Sequence, residues 1–201
     1  MTKLLDNIDT WILIPLGGVF MEKIAVVYKS NYGSTKKYAE WIAGETGGDL
    51  IEYSNVNMNS LSSYDTIVFG GGVYAGKING ISMIKNNFNV LKNKRLILFT
   101  VGVATNNNKE NHESIINNNF TEEMKEKIQL FHFFGGIDYS RLSLIHKMMM
   151  KMVKKMLSKK EELTVDERTI TSACDKVVDF TDKKSIDPLV LYILRTSHDI
   201  K

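Results

Sequence analysis

The sequence has little of the residues that staple or interrupt a chain: its 201 residues include one cysteine and two prolines. A lone cysteine, Cys174, excludes a disulfide framework within the chain and fits a reducing compartment. No partner motif surrounds it, so Cys174 reads as a core filler rather than a reactive thiol. No Ser/Pro-rich linker is present either, which argues against a second domain. An excess of one charge is missing too, with 26 Lys and Arg against 23 Asp and Glu. No stripe of Arg and Lys alternates with aromatics, so nucleic acid is not an expected partner. Long apolar runs are also lacking. Trp11–Phe20 is interrupted by Pro15, Gly17 and Gly18 and is far short of the about 20 residues that span a bilayer. As a signal peptide it is poor, because aspartates sit in its first segment and no small-x-small site precedes Met21. Residues 1–20 therefore read as a leader or non-native extension, 21–182 as one domain, and 183–201 as a C-terminal tail.

What is present is an alternation of buried-type strands and helices. Lys23–Tyr28 (KIAVVY), Asp49–Tyr53, Asp65–Phe69, Arg95–Val101 and Ile128–Phe134 read as strands. Ser34–Gly44, Ile81–Leu91, a poor helix within Asn106–Asn119, a long helix after Gly135-Gly136 and a last one near Thr171–Phe180 read as helices. Short connections between them imply a doubly wound α/β fold with a parallel five-stranded sheet and helices on both faces.

Ligands in such sheets bind beyond the carboxyl ends of the strands. Three loops there stand out. The first is Ser30-Asn31-Tyr32-Gly33-Ser34-Thr35, which runs into a helix start. Unpaired backbone N–H groups, hydroxyls and a glycine suit a phosphate monoester, whereas a simple cap needs only one such residue. Neither the G-x-x-x-x-G-K-[ST] nor the G-x-G-x-x-G pattern is there. The second is Gly70-Gly71-Gly72-Val73-Tyr74-Ala75-Gly76-Lys77, whose glycines let backbone approach a flat ligand and whose Tyr74 offers a ring for stacking. The third is Thr100–Asn106, small and polar-ended. Together they describe a mononucleotide site. The four histidines, His112, His132, His146 and His198, are scattered and read as structural or solvated, and no metal cluster is visible.

A strand followed by S-x-Y-G-S-T and a helix resembles the phosphate loop of flavodoxins, over most of residues 23–180. The fold of that family has strand order 2-1-3-4-5 with FMN at its switch point. The resemblance implies that Ser30, Asn31, Tyr32, Gly33, Ser34 and Thr35 bind the phosphate of FMN. It implies that Gly71, Gly72, Val73, Tyr74, Ala75 and Gly76, with Val101, Gly102, Val103 and Thr105, hold the isoalloxazine ring. Electron-carrier flavodoxins are strongly acidic and sandwich the flavin between aromatics from two loops. This chain is weakly basic, and Tyr74 is the one aromatic of its second loop.

The segment "LSLIHKMMMKMVKKMLSKK" adds an amphipathic helix. Ile145, Met148, Met149, Met152, Val153, Met156 and Leu157 are expected on one face, with Lys147, Lys151, Lys154 and Lys155 opposite. It reads either as an ordinary buried helix or as a surface helix at 144–160 for an anionic membrane. With Gly135–Arg141 before it, this segment resembles the flavodoxin-like protoporphyrinogen oxidases that use menaquinone. That resemblance implies an FMN-dependent oxidoreductase passing electrons from an organic substrate, such as a porphyrinogen, to a quinone. The lone cysteine and this helix lead us to expect a cytoplasmic protein, peripheral to the inner face of the membrane if the helix is a surface one. The alternatives are an electron carrier between redox-protein partners and a phosphate-binding module without redox chemistry. The apolar patch around Leu189–Leu194 is expected to cap a sheet edge or to meet a partner.

Overall fold

The computed structural model describes residues 22–103, 109–173 and 177–196. In chain order, strand β1 (Ile24–Lys29) leads to helix α1 (Ser34–Thr46), and strand β2 (Asp49–Glu52) to the single turn α2 (Met58–Leu61). Strand β3 (Thr66–Tyr74) forms a hairpin with the short β4 (Lys77–Ile78), followed by α3 (Ser82–Asn86) and α4 (Phe88–Leu91). Next come β5 (Arg95–Gly102), α5 (Lys109–Asn119), α6 (Glu122–Lys127) and β6 (Ile128–Phe134). An excursion then runs through β7 (Gly136–Asp138), α7 (Leu144–Leu157), α8 (Val165–Ala173) and β8 (Val177–Asp179), and the chain closes on α9 (Asp187–Thr196).

The sheet order is β2-β1-β3-β5-β6, all parallel, with β4 added antiparallel to β3. Counted by its parallel strands alone, this is the expected 2-1-3-4-5 doubly wound sheet. The period-2 alternation along the strands builds two cores. Val26, Val68, Ile97 and Phe99 face α1 and α9, while Ala25, Val27, Ile67, Phe69 and Leu98 face α3, α4 and α6.

Four sequence expectations change. The glycine triplet does not follow a strand that ends at Phe69, because β3 continues through it and pairs Gly70 with Phe99 and Gly71 with Thr100. A Cβ on Gly70 would lie 2.0 Å from Phe99 Cζ, and one on Gly71 2.6 Å from the Asn79 carbonyl oxygen. Packing against the protein, rather than approach of a ligand, requires those two glycines. The helix expected over 81–91 is broken at Asn87, whose amide donates to the Met83 carbonyl at 2.8 Å and competes with the backbone ladder. The helix expected near Thr171–Phe180 ends at Ala173, and the β-branched pair Val177-Val178 instead joins β8 to β7. Gly136 permits that pairing, since a Cβ there would meet the Val178 carbonyl oxygen at 2.8 Å.

The fourth concerns the segment read as a tail. Residues 187–196 form α9, and Leu189 and Ile193 are completely buried against the α1 face of the sheet. Burying each such side chain stabilises the fold by about 1.5–3 kcal/mol. Arg95 at the start of β5 anchors the end of α9: Nη1 donates to the Ile193 carbonyl at 3.0 Å and Nη2 to that of Tyr192. The guanidinium also pairs with Glu22 at 3.3 Å. These bonds tie the start of β5 to the last turns of α9. Within 183–196, then, the apolar patch covers a sheet face. Residues 1–20 and Cys174 lie outside the described residues.

Candidate functional site

The site starts at the carboxyl end of β1. Ser30 Oγ accepts the Gly33 N–H at 3.0 Å and tightens the loop, while Gly33 takes a φ of 100° at the N-cap position of α1. A glycine there has no side chain, and no side-chain hydrogen bond caps the helix. The plain capping reading of this loop therefore fails. The first-turn N–H groups and the helix dipole are left to face an anion. Ser34 Oγ accepts the Gly136 N–H at 3.0 Å, which keeps its own O–H available to donate.

A cavity of about 380 Å³ opens from this loop along the ends of β3, β5 and β6. That is within the range of small-molecule sites. Of the expected phosphate residues, Ser30, Tyr32, Ser34 and Thr35 line it. Of the expected ring residues, Gly72, Val73, Tyr74, Ala75, Val101, Gly102 and Val103 do so. Asn31, Gly33, Gly71 and Gly76 are not on its wall. Gly33 shapes the loop from behind, and Asn31 Oδ1 accepts from Asn79 Nδ2 at 3.0 Å, tying the loop to the chain after β4. Gly71 faces the Asn79 carbonyl, as described above. Gly76, with φ 75°, sits in the hairpin turn beside Ala75, which has φ 48°. Such a conformation costs a non-glycine residue about 1–2 kcal/mol. The turn holds Tyr74 over the cavity. Thr105 lies outside the described residues.

The excursion between β6 and α9 supplies the rest of the wall, and the sequence reading missed it. Gly135, Gly136, Ile137 and Leu142 contribute, as do His146, Met149, Met150, Met152 and Val153 of α7, and Ile170 of α8. His146 is thus a cavity residue, not the scattered structural histidine expected. Tyr32 reaches across to it: its phenol oxygen is hydrogen-bonded to His146 Nδ1 and accepts the Ser143 N–H at 3.2 Å. The Tyr74 ring stacks on the imidazole, with centroids 4.7 Å apart and planes 12° from parallel. Burial, with the neighbouring Tyr32 phenol adding to it, pushes the Tyr74 hydroxyl up to about 12 against an opposing hydrogen bond from Asn31. Tyr74 therefore stays uncharged at neutral pH. His132 is structural, with Nδ1 2.7 Å from the Thr100 hydroxyl.

Both ends of the excursion are fastened to α1. Lys37 Nζ reaches the Asp179 carboxylate at 3.1 Å and the Thr181 hydroxyl at 2.7 Å. The Asp179 carboxyl is held below its usual range, chiefly by the Thr181 N–H. Tyr38 donates to the Phe134 carbonyl at 2.8 Å and accepts the Asp182 N–H at 3.1 Å.

The apolar arc of α7 is wider than its contact with the protein. His146, Met149, Met150, Val153 and Leu157 turn inward, whereas Leu144, Ile145, Met148, Met152 and Met156 are each at least 61% exposed. The single face expected from the sequence is therefore two faces, one lining the cavity and one facing out, with the exposed Met152 at the cavity's rim belonging to both.

The donor set fits a phosphate ester of a flat ring compound. Uncapped N–H groups and hydroxyls lie at one end, and no Asp or Glu among the described residues lines the cavity. Apolar and aromatic walls lie at the other. No group of three metal-ligating side chains occurs among the described residues, and no helix among them is long and apolar enough to cross a membrane.

Comparison with known proteins gives the family of the chain. An uncharacterized protein of Methanocaldococcus jannaschii is 38% identical over 56 residues, which span 27% of this chain and 37% of that protein. An archaeal flavodoxin structure is 16% identical with a TM-score of 0.40, covering 76% of this chain and 96% of that one. A Lactobacillus acidophilus flavoprotein solved in complex with FMN is 20% identical with a TM-score of 0.38, covering 56% and 92%. The profile described as the flavodoxin domain matches residues 25–164. That span takes in the parallel strands almost end to end together with the loop at the polar end of the cavity, and the chain belongs to the flavodoxin-domain family.

Proposed function

We propose that this protein is an FMN-dependent oxidoreductase that passes electrons from an organic ring substrate to a quinone-class acceptor. The observation that carries the reading is the start of α1, whose N-cap is a side-chain-free glycine and whose flanking hydroxyls open on an apolar cavity. Ser34, Thr35 and the loop backbone would hold the phosphate end, while Gly72–Ala75 and Val101–Val103 would line the ring end. Bound there, FMN supplies reversible one- and two-electron chemistry, and the protein supplies position and the exclusion of water. Enclosure by α7 favours an enzyme over a carrier, because a carrier must present its flavin edge to a protein partner. A porphyrinogen is the first substrate to try. The full chain should purify yellow or bind added FMN with quenching of flavin fluorescence. A colourless protein that cannot be reconstituted refutes the reading.

A membrane-peripheral setting is supported by the outward face of α7. Its exposed Leu144, Ile145, Met148, Met152 and Met156 run alongside Lys147, Lys151, Lys154 and Lys155. That pairing of an apolar strip with a basic strip matches the chemistry of an anionic bilayer surface. Sedimentation with phosphatidylglycerol vesicles should fall several-fold when the four lysines become glutamate. Equal sedimentation of both proteins rules the contact out.

A further inference from the structure

Three rings from three separate segments meet at the cavity. Tyr32 comes from the loop after β1, Tyr74 from the β3–β4 turn, and His146 from the first turn of α7. Tyr32 stands edge-on to both others, at 6.2 Å from Tyr74 and 5.5 Å from His146. A phenol has one hydrogen to donate. The Tyr32 oxygen already accepts the Ser143 N–H, and its other partner is His146 Nδ1. Donation of the O–H to Nδ1 would give the oxygen one bond of each kind. In an uncharged imidazole the ring hydrogen then sits on Nε2. No group among the described residues is hydrogen-bonded to Nε2, while the His146 ring lines the cavity.

We propose that His146 determines which ring ligand the cavity accepts: Tyr32 fixes its tautomer, and Nε2–H donates to a carbonyl-type acceptor on the edge of a planar ligand. The stacked Tyr74 holds the imidazole plane, so the donor points in one direction. A ligand whose facing edge lacks an acceptor leaves that N–H without a partner in an apolar site, and is rejected for that reason. The inference rests on the flavoprotein reading above and adds to it the residue that reads the ring. Two sources share the required chemistry, the isoalloxazine carbonyls of FMN and a second carbonyl-bearing ring compound, and the test separates them.

Long-range ¹H–¹⁵N spectra of the full-length protein without added ligand should show His146 as the Nε2–H tautomer. Tyr32→Phe should produce a mixture of tautomers. FMN, and then menadione added to FMN-loaded protein, are titrated against wild type, His146→Phe and His146→Gln. Phenylalanine keeps the stack and removes the donor, and glutamine keeps a donor. Loss of about tenfold in affinity in His146→Phe, with His146→Gln near wild type, supports the assignment. A loss seen for FMN makes the flavin the ring that is read, and a loss seen for menadione alone makes it the second compound. An Nδ1–H tautomer in wild type, or unchanged affinity for both probes in His146→Phe, overturns it. Failure of wild type to bind FMN at all refutes the flavoprotein reading instead, so the two failures are distinct.

Discussion

Ser34→Asp is expected to weaken FMN binding by about 100-fold or more while leaving the fold as stable as before. The two effects have opposite signs because of where the residue sits. Ser34 is the first residue of α1, and a carboxylate there interacts favourably with the helix dipole, by about 0.3–1 kcal/mol. Its oxygens can still accept the Gly136 N–H that Ser34 Oγ accepts now. The same negative charge would face the phosphate directly. Two unit charges about 4 Å apart repel by about 4 kcal/mol at the effective dielectric near a protein surface, more than enough for the loss stated. Riboflavin, which lacks the phosphate, should bind mutant and wild type alike. Fluorescence titration with both flavins, beside a thermal melt, reads all three quantities. Unchanged FMN affinity would remove this loop from the binding site, and equal losses for riboflavin would show that the mutation acts by another route.

Gly70→Ala should destabilise the protein by about 3 kcal/mol or more, near the upper end of what overpacking a core does. The added Cβ would sit 2.0–2.6 Å from three carbons of the Phe99 ring, and Phe99 is completely buried. The ring cannot tilt freely because Phe133 packs beside it with centroids 5.7 Å apart. Each kcal/mol lowers the midpoint of a domain of this size by about 2–4 °C, so a melt should show a fall of roughly 10 °C. Adding Phe99→Leu should recover part of the loss, a coupling expected only of residues in contact. A fall under about 1 kcal/mol for Gly70→Ala alone would mean that Phe99 has room to move.

The parallel sheet and the loop that opens α1 were legible because their signals are local. KIAVVY, TIVF and RLILF are continuous apolar runs, and the hydroxyl-rich turn follows directly on the first of them. What was missed depends on partners distant in sequence. Gly70 to Gly72 read as a ligand loop, yet Gly70 answers to a ring 29 positions on in the neighbouring strand. His146 meets Tyr32 across 114 positions, and no spacing in the chain announces that pairing. The methionine helix showed its apolar residues plainly, but a periodic pattern does not tell how wide an arc the protein itself covers. A signal for His146 was available in hindsight: it shares a helical face with Met149, Met150 and Val153, at separations of three, four and seven. Residues 136–138 and 177–179 are each too short to read as strands without the other.

Arg95 and the α9 carbonyls it binds are separated by 97 and 98 positions. This separation has a consequence for how the protein is made. One side of the sheet, with Val26, Val68 and Ile97, has α1 as its early cover, and α9 completes it only after residue 193 has left the ribosome. Until then a nascent chain carries an apolar surface with no native partner, the kind of surface that promotes aggregation and engages chaperones. Completion of this core should therefore wait for α9 to emerge and dock on the sheet.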